Sequence, residues 1–313
     1  MRCPLGLTGY HFSVDWSRIE PAKGRFDRAV LDRYVQMCRC LRTGGIRPLV
    51  TLVHFSSPDW IWDHRREHST GWYHPAIVDR FASFCRTVVP ALCEHVDLFV
   101  TLNEPNIFLY GGFAEGILAP GHKQTDEALQ QVFRHLLQCH VAAWQAIKAA
   151  CPSAQVAIAH QYCPIEPDWR WSMLAGWVAA RVDQAFTWSV PDAIRDGTFV
   201  FTTRDGKQHH EVIDGLAGTA DFAGVNYYER MLLGLPGGLR RRGFELLHDH
   251  HGDKQIWPRQ INTTAFVDML RRIHRRYGLP IYITGNGRPI RTMRCGACSS
   301  NVTCRCLATP SRN

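Results

Sequence analysis

Two patterns of hydrophobic and polar residues alternate along the chain. Short runs that are apolar at nearly every position indicate strands buried on both faces, and longer segments with an apolar residue every three or four positions indicate helices with one buried face. The predicted strands occupy residues 10–16, 46–55, 97–105, 154–162, 220–228 and 279–287. The predicted helices occupy residues 27–43, 75–96, 126–151, 171–186 and 263–278. This order predicts a parallel sheet covered by helices, either a βα barrel or a doubly wound sheet.

Proline and glycine refine the ends of these elements. Pro90 is predicted to break or kink the last turns of the second helix, because proline cannot donate the backbone hydrogen bond that a helix interior needs. In the segment IYITGNG, residues 281–287, the apolar half predicts a buried strand, and Thr284 to Gly287 predict the turn that ends it.

Polar and aromatic residues follow several of the predicted strands. They are Asp15, Trp16, Arg18, His54, Asn103, Glu104, Asn226 and Tyr228. No GxGxxG or P-loop motif follows any strand, which disfavours a nucleotide-binding sheet. Hydrogen-bonding side chains and aromatic faces at the carboxyl ends of barrel strands are typical of a pocket for a polyhydroxylated ligand.

The positive charge of the chain is concentrated at its C-terminal end. The formal net charge is +8, and residues 288–313 contribute five arginines and no acidic residue, so the preceding part carries +3. Two further basic clusters, at residues 240–242 and 271–276, lack interleaved aromatic residues on which bases would stack. We interpret both clusters as solvated faces and expect no nucleic-acid partner.

The chain shows no pattern that is typical of membrane insertion or secretion. It contains no run of eighteen apolar residues, and its first residues lack the basic, apolar and small-residue order of a signal peptide. We therefore expect a cytoplasmic protein without a membrane partner.

The twelve cysteines form two groups. Four lie close together, at Cys295, Cys298, Cys304 and Cys306. Their spacing permits a zinc site, but the cramped CxC half and the lack of an apolar pattern favour an unstructured tail without metal. The others are scattered and are predicted to be reduced thiols of a cytosolic protein, at Cys3, Cys38, Cys40, Cys85, Cys93, Cys139, Cys151 and Cys163.

Six segments together resemble the successive signatures of the family 1 β-glycosidases. They are WSRIEP (16–21), TLVHF (51–55), TLNEP (101–105), GGFAEGILAPG (111–121), DFAGVNYY (221–228) and ITGNG (283–287). They occur in the family's order and with compatible spacing from residue 5 to about residue 287. The resemblance implies an α/β fold of the (β/α)8 TIM-barrel type. It also implies retaining hydrolysis of small-molecule β-glucosides or related β-glycosides, without a metal or an organic cofactor.

The resemblance assigns roles to three of the residues that follow strands. Glu104 matches the catalytic acid/base, which protonates the leaving oxygen. Asn103 matches the residue that hydrogen-bonds the sugar hydroxyl next to the reacting carbon. His54 matches a second ligand of the sugar hydroxyls.

The largest departure from the family pattern is Gly285. The family has ITENG at this strand end, with the glutamate as nucleophile, whereas this chain has ITGNG. Arg18 and Tyr228 match the groups that hold the nucleophile, and Asn226 lies beside them. Without the carboxylate no glycosyl-enzyme can form, so hydrolysis is expected to be weak or absent. The glycine also predicts a small space that would admit an anion such as azide or formate.

Other departures concern the pocket and the ends of the pattern. Phe55 replaces a tryptophan and His11 replaces an arginine. The first motif matches the family's second strand, and no eighth-strand signature follows Gly287. We therefore expect about six of eight βα units, in a partial barrel domain at residues 1–287, followed by a disordered Arg-, Cys- and Ser-rich tail at 288–313.

Three interpretations of function follow. The first is a β-glycosidase by descent and fold, with impaired hydrolysis. The second is a catalytically inactive sugar- or protein-binding pseudoenzyme of the same fold, as in Klotho-type relatives that lost a catalytic glutamate. The third is another barrel glycosidase family that shares the Asn-Glu-Pro motif, and the segments WSRIEP and DFAGVNYY argue against it.

Overall fold

The computed structural model describes residues 6–63, 70–121, 123–168, 172–234, 245–248 and 263–287. Four sequence predictions lie outside these residues: the disorder of the tail at 288–313, the cysteine group at 295–306, the basic cluster at 240–242, and the reduced thiol of Cys3.

The chain forms eleven strands and eight α-helices within the described residues. The strands are β1 (Gly9–Ser13), β2 (Arg47–Val53), β3 (Leu98–Asn103), β4 (Gln155–Gln161), β5 (Ile165–Pro167), β6 (Thr198–Thr202), β7 (Gln208–Val212), β8 (Ala223–Tyr227), β9 (Met231–Gly234), β10 (Glu245–His248) and β11 (Ile281–Asn286). The helices are α1 (Trp16–Ile19), α2 (Arg28–Thr43), α3 (Ala76–Leu92), α4 (Pro105–Leu109), α5 (Asp126–Ala150), α6 (Met173–Asp183), α7 (Ser189–Asp196) and α8 (Thr263–Tyr277).

The six strands predicted from the sequence form one sheet, in the order β1-β2-β3-β4-β8-β11. The pairings of β1 with β2, β2 with β3, and β3 with β4 are parallel. β3 is buried at every position, and β2 and β4 at every position but the first, as expected for strands that are covered on both faces. The predicted α/β fold with six strands of a βα pattern is thus confirmed.

By its internal contacts the chain divides into two compact units. The first unit comprises residues 1–160 and 190–224. Its helices begin as the sequence predicts: the Asp27 side chain accepts a hydrogen bond from the Val30 amide and starts α2, and Thr125 likewise starts α5. α3 and α5 bury one face each in a core rich in aromatic side chains.

The sequence predicts that Pro90 breaks or kinks the last turns of a helix that reaches residue 96. In the structure α3 passes through Pro90 and ends two residues later, at Leu92, short of that predicted end. Because Pro90 lies in the last turn, few later hydrogen bonds depend on it, and the burial of Val88, Val89 and Leu92 stabilises the helical path.

The prediction of reduced thiols is wrong for two of the scattered cysteines. Cys93 and Cys151 form a disulfide bond, with their Cα atoms 5.8 Å apart. Cys93 ends α3 and Cys151 ends α5, so the bond joins the C-terminal ends of two packed helices. Five described cysteines remain free, namely Cys38, Cys40, Cys85, Cys139 and Cys163.

The second unit comprises residues 161–189 and 225–313. β9 pairs with β5 and β10 in a small separate sheet. β11 differs from its prediction in two ways: it runs on through Thr284 and Gly285 to Asn286, and it is only half-buried. The strand continues because Asn286 donates a side-chain hydrogen bond to the carbonyl of Tyr227 on β8, which holds the predicted turn residues in extended form.

None of the helices in the described ranges combines the length and the apolar character needed to cross a bilayer.

Candidate active site

The carboxyl end of β3 places Asn103 and Glu104 in the interior of the first unit. Their side chains are 4% and 6% exposed. The pairing of β3 with β4 shifts register between Val100 and Asn103, and the Glu104 amide then donates to the carbonyl of Ala159 at 2.6 Å. The bulge therefore ends the regular ladder at the residue that carries the carboxylate.

Glu104 has a left-handed backbone, with φ at 45° and ψ at 60°. For a residue with a side chain this conformation costs about 1–3 kcal/mol, and such strain concentrates at functional sites. Pro105 follows immediately as the first residue of α4, where its fixed φ suits the start of a helix. The carboxyl group is thus held at a fixed point between β3 and α4.

The end of β2 lies beside the end of β3. Val53 on β2 is paired with Leu102 on β3. His54 follows Val53 and Asn103 follows Leu102, so these two residues stand at neighbouring strand ends. His54 is exposed, yet the neighbouring protein removes part of its contact with water, and this partial desolvation lowers its pKa. The nearby His11 lowers the pKa further. The imidazole is thereby biased toward its neutral form, which both donates and accepts a hydrogen bond, as a ligand for a sugar hydroxyl requires.

Phe55, which replaces a family tryptophan, also has a left-handed backbone, with φ at 64°. Its ring stacks on Phe108 of α4 at a centroid distance of 6.3 Å. This contact ties the segment after β2 to the helix that follows Glu104.

The end of β1 is organised by Asp15. The Asp15 carboxylate accepts hydrogen bonds from the amide and the hydroxyl of Ser17, which starts the short helix α1. Arg18 lies on α1 with an exposed side chain, next to the buried Ile19. His11, at the position of a family arginine, hydrogen-bonds the Thr51 hydroxyl at 2.7 Å.

In the second unit the structure brings Asn226, Tyr228 and Gly285 together. Asn226 is 3% exposed, and its side-chain oxygen accepts a hydrogen bond of 2.6 Å from the Thr284 hydroxyl. A Cβ atom on Gly285 would lie 2.6 Å from the Tyr228 hydroxyl oxygen and 2.7 Å from both Cγ and Oδ1 of Asn226. Of the residues that the resemblance places around the nucleophile, Asn226 and Tyr228 thus lie against Gly285 within the second unit; the role of Arg18 there stays a prediction.

The same distances overturn the prediction of a space at Gly285. Contacts below about 3 Å leave no room for even one added carbon, because real Cβ atoms do not approach other heavy atoms so closely. The side chains of Asn226 and Tyr228 occupy the volume where the first carbon of the family's glutamate would stand.

Two polar residues at strand ends escaped the sequence analysis. His160 and Gln161 end β4 and are buried, at 0% and 7% exposure. The signal was present, since a polar pair follows the buried run AQVAIA in the way that Asn103 and Glu104 follow β3. Thr284 was assigned to a turn, and only the pairing of β11 shows that it contacts Asn226.

Comparisons with known proteins agree with this arrangement. The sequence profile described as "Glycosyl hydrolase family 1" matches residues 1–298. The cytosolic beta-glucosidase of Cavia porcellus is 27% identical over 318 residues, which cover 91% of this chain and 66% of that protein. The chain thus spans just under two thirds of that relative's length.

Solved structures show the same fold. A beta-glycosidase from Pyrococcus horikoshii superposes with a TM-score of 0.81 at 25% identity, covering 96% of this chain and 67% of that one. The GH1 beta-glucosidase from Exiguobacterium antarcticum B7 gives a TM-score of 0.79 at 26% identity, covering 97% and 71%. The described strands and helices therefore have the fold of an incomplete (β/α)8 TIM barrel, as in these neighbours.

Proposed function

Because the chain belongs to glycosyl hydrolase family 1, we propose that it binds β-D-glucosides or related β-glycosides and that its own hydrolytic activity is impaired. The observation that carries the proposal is Gly285, which stands between Asn226 and Tyr228 without a carboxylate. The binding half of the proposal is supported by the buried Asn103 and Glu104 and by His54 at the neighbouring strand end.

The reaction of the family explains why one missing group matters. Retaining hydrolysis uses two carboxyl groups about 5–5.5 Å apart, one as acid/base and one as nucleophile. In the proposal Glu104 is the acid/base, and it would protonate the leaving oxygen. Gly285 brings no atom that could attack the anomeric carbon, so the covalent intermediate cannot form.

A pair of measurements on the full chain tests this proposal. We expect an aryl β-glucoside to be hydrolysed at the background rate, while a non-hydrolysable thio-β-glucoside binds saturably. Asn103→Ala is expected to weaken that binding, whereas Gln36→Ala, on the exposed face of α2, serves as the control. Hydrolysis at an ordinary enzymatic rate would refute the impairment, and the absence of saturable binding would refute the ligand class.

Restoring the carboxylate tests the assignment of Gly285 directly. We expect Gly285→Glu to raise the turnover of an aryl β-glucoside once Asn226 and Tyr228 move aside. Glu104→Gln in the Gly285→Glu background is expected to slow poorly activated leaving groups most, because these need a proton from the acid. An unchanged rate in Gly285→Glu that persists when Asn226 is also replaced by alanine would contradict the proposal that the missing carboxylate alone impairs hydrolysis.

A pseudoenzyme that binds a sugar or a protein is the second candidate. The filled position at Gly285 favours it, since Asn226 and Tyr228 have taken the volume of a catalytic group. It differs from the first candidate in one result: Gly285→Glu would leave glycoside binding intact and would still produce no turnover.

For the location of the protein we propose the cytoplasm. The cytosolic relative supports this proposal, and so do the five free cysteines. The bond between Cys93 and Cys151 is more typical of an oxidising compartment. Cell fractionation with an antibody against the full chain would decide between the two.

A further inference from the structure

A cleft of about 270 Å³ opens on the second unit, lined by Trp188, Arg272, Arg275 and Arg276. We call it the arginine cleft. The three arginines lie on α8 at spacings of three and four residues, so they share one face of the helix. The sequence pattern indicates a solvated face for this cluster, and the arginines are indeed exposed. Nothing in that pattern indicates the buried Trp188 beneath them.

Trp188 forms a fixed floor for the cleft. Its ring is 2% exposed, and its indole nitrogen donates to Oδ2 of Asp183 at 2.8 Å. Asp183 is itself buried and accepts a second hydrogen bond from the amide of Ile165 through Oδ1. The Asp183 carboxylate is thus bound both to the backbone and to the indole nitrogen, and these buried hydrogen bonds fix the orientation of the Trp188 ring.

Two guanidinium groups are stacked on that floor. The central carbons of Arg272 and Arg276 lie 4.9 and 4.7 Å from the centre of the Trp188 ring. Arg272 also contacts Oδ2 of Asp183 at 3.1 Å, and Arg276 donates to the Gln184 side chain at 3.3 Å. Cation–π contacts and hydrogen bonds thus hold both groups in place before any ligand arrives.

The charges of the cleft are only partly compensated. Asp183 offsets Arg272, and Asp268 pairs with Arg271 outside the cleft. Arg275 has no ion-pair partner among the residues that the structure describes. Basic residues are common in the last turn of a helix, because the C-terminal end of the helix dipole is negative. The dipole does not explain why a buried tryptophan ring holds two of these arginines in place.

From this arrangement we propose that the arginine cleft binds a phosphate-class oxyanion. Guanidinium groups match phosphate oxygens with paired N–H donors, and two prearranged groups lower the entropy lost on binding. Trp188 is 2% exposed and already contacts Arg272 and Arg276, which leaves almost no ring surface on which a nucleobase could stack. The volume admits a small phosphate compound.

The arginine cleft is a different place from the position of Gly285. α8 ends at Tyr277 and β11 begins at Ile281, so the cleft belongs to the amino end of that strand. Gly285 lies near the carboxyl end of the same strand. The two positions share no residue, so binding at the cleft can be measured separately from glycoside binding.

Calorimetric titration of the full chain with inorganic pyrophosphate at constant ionic strength tests the proposal. We expect saturable binding that Arg275→Gln weakens about tenfold, as the loss of one charge-assisted hydrogen bond would do. The matched control is Arg39→Gln on the exposed surface of α2, which removes the same charge and should leave the affinity unchanged. Absence of saturable binding, or equal weakening in both variants, would overturn the site.

Arg276→Gln is a second variant with a structural risk, since it removes a contact with Trp188. We expect it to weaken pyrophosphate binding as well. Should Arg276→Gln fail to fold, Arg275→Gln alone decides, because the cation–π contacts with Trp188 come from Arg272 and Arg276.

A soluble phosphate compound and a lipid headgroup carry the same group. Arg275-dependent binding of pyrophosphate without binding to phosphatidic-acid vesicles identifies a soluble ligand. Arg275-dependent binding to those vesicles identifies a headgroup. Binding that Arg275→Gln leaves unchanged in both assays contradicts the proposal.

Discussion

At the scale of single residues, Gly285 is a position where a methyl group is already too large. We expect Gly285→Ala to lower the free energy of unfolding by about 1–3 kcal/mol, as overpacking does, because the added Cβ would press on Asn226 and Tyr228. Gly176→Ala on α6 is the control, since no atom lies within 4 Å of its added Cβ and alanine favours a helix. Urea unfolding monitored by circular dichroism measures both. Equal stability of the Gly285→Ala variant and the unmodified chain would show that the side chains relax freely.

The buried His140 is expected to make the stability of the first unit depend on pH. It is fully buried, its Nδ1 atom contacts the Thr101 hydroxyl, and its Nε2 atom lies 2.9 Å from the carbonyl of Thr219. Burial lowers the pKa of His140 from 6.5 to about 4. Between these values the unfolded chain binds the proton and the folded chain does not, so stability falls as the pH drops below 6.5.

We therefore expect His140 to remove about 2 kcal/mol of stability between pH 7 and pH 5. The His140→Gln variant should be less stable at pH 7 and should lose less on acidification than the unmodified chain. His210→Gln, at an exposed position of β7, is the control for changing a histidine. Parallel pH dependences of the free energy of unfolding in all three proteins would contradict the assignment.

At the scale of elements, the disulfide between Cys93 and Cys151 joins the ends of α3 and α5 across a sequence separation of 58 residues. Closing a loop of that length in the unfolded chain is expected to contribute about 2–4 kcal/mol. A reductant should thus lower the unfolding midpoint of the unmodified chain and leave a Cys93→Ser, Cys151→Ser double variant unchanged. Cys40→Ser, which removes an exposed free thiol, should respond to reductant as the unmodified chain does.

The elements that the sequence predicted well are those whose cause is local. The six strands of the sheet are uninterrupted apolar runs, and the helix starts at Asp27 and Thr125 carry capping side chains. The same logic located His54, Asn103, Glu104 and Asn226 at strand ends.

The features that escaped prediction depend on distant parts of the chain. The hydrogen bond from Thr284 to Asn226 and the bond between Cys93 and Cys151 each join residues 58 positions apart. The residues near Gly285 favour a turn when considered alone, and pairing with β8 overrides that preference. The hydrophobic periodicity and the local propensities of a segment do not report which distant residues it will contact.

At the scale of the whole molecule, β1 and β11 stand at the two ends of the sheet order. Within the described ranges no strand pairs with their outer edges, and β11 leaves Ile281 and Ile283 only half-buried. An unpaired strand edge exposes backbone hydrogen-bonding groups, and together with apolar side chains it favours pairing with a strand of another chain. We expect the isolated chain to aggregate or to be partly unfolded.

A charge on the edge strand tests this expectation. Ile283→Lys should lower the aggregated fraction in size-exclusion chromatography, because a lysine blunts an edge strand. Met173→Lys, at a position of α6 that is 92% exposed, adds the same charge away from the sheet and should have a smaller effect. A soluble monomer with one cooperative thermal transition in the unmodified chain would contradict the expectation.

The closure of Asn226 and Tyr228 around Gly285 also bears on how tolerant this position is to change. Any side chain placed here meets its neighbours at distances below 3 Å unless they move. The hydrogen bond between Thr284 and Asn226 holds one of those neighbours in place. A larger residue at position 285 is therefore a problem of repacking several residues together, and a single substitution is expected to be a poor way of reaching it.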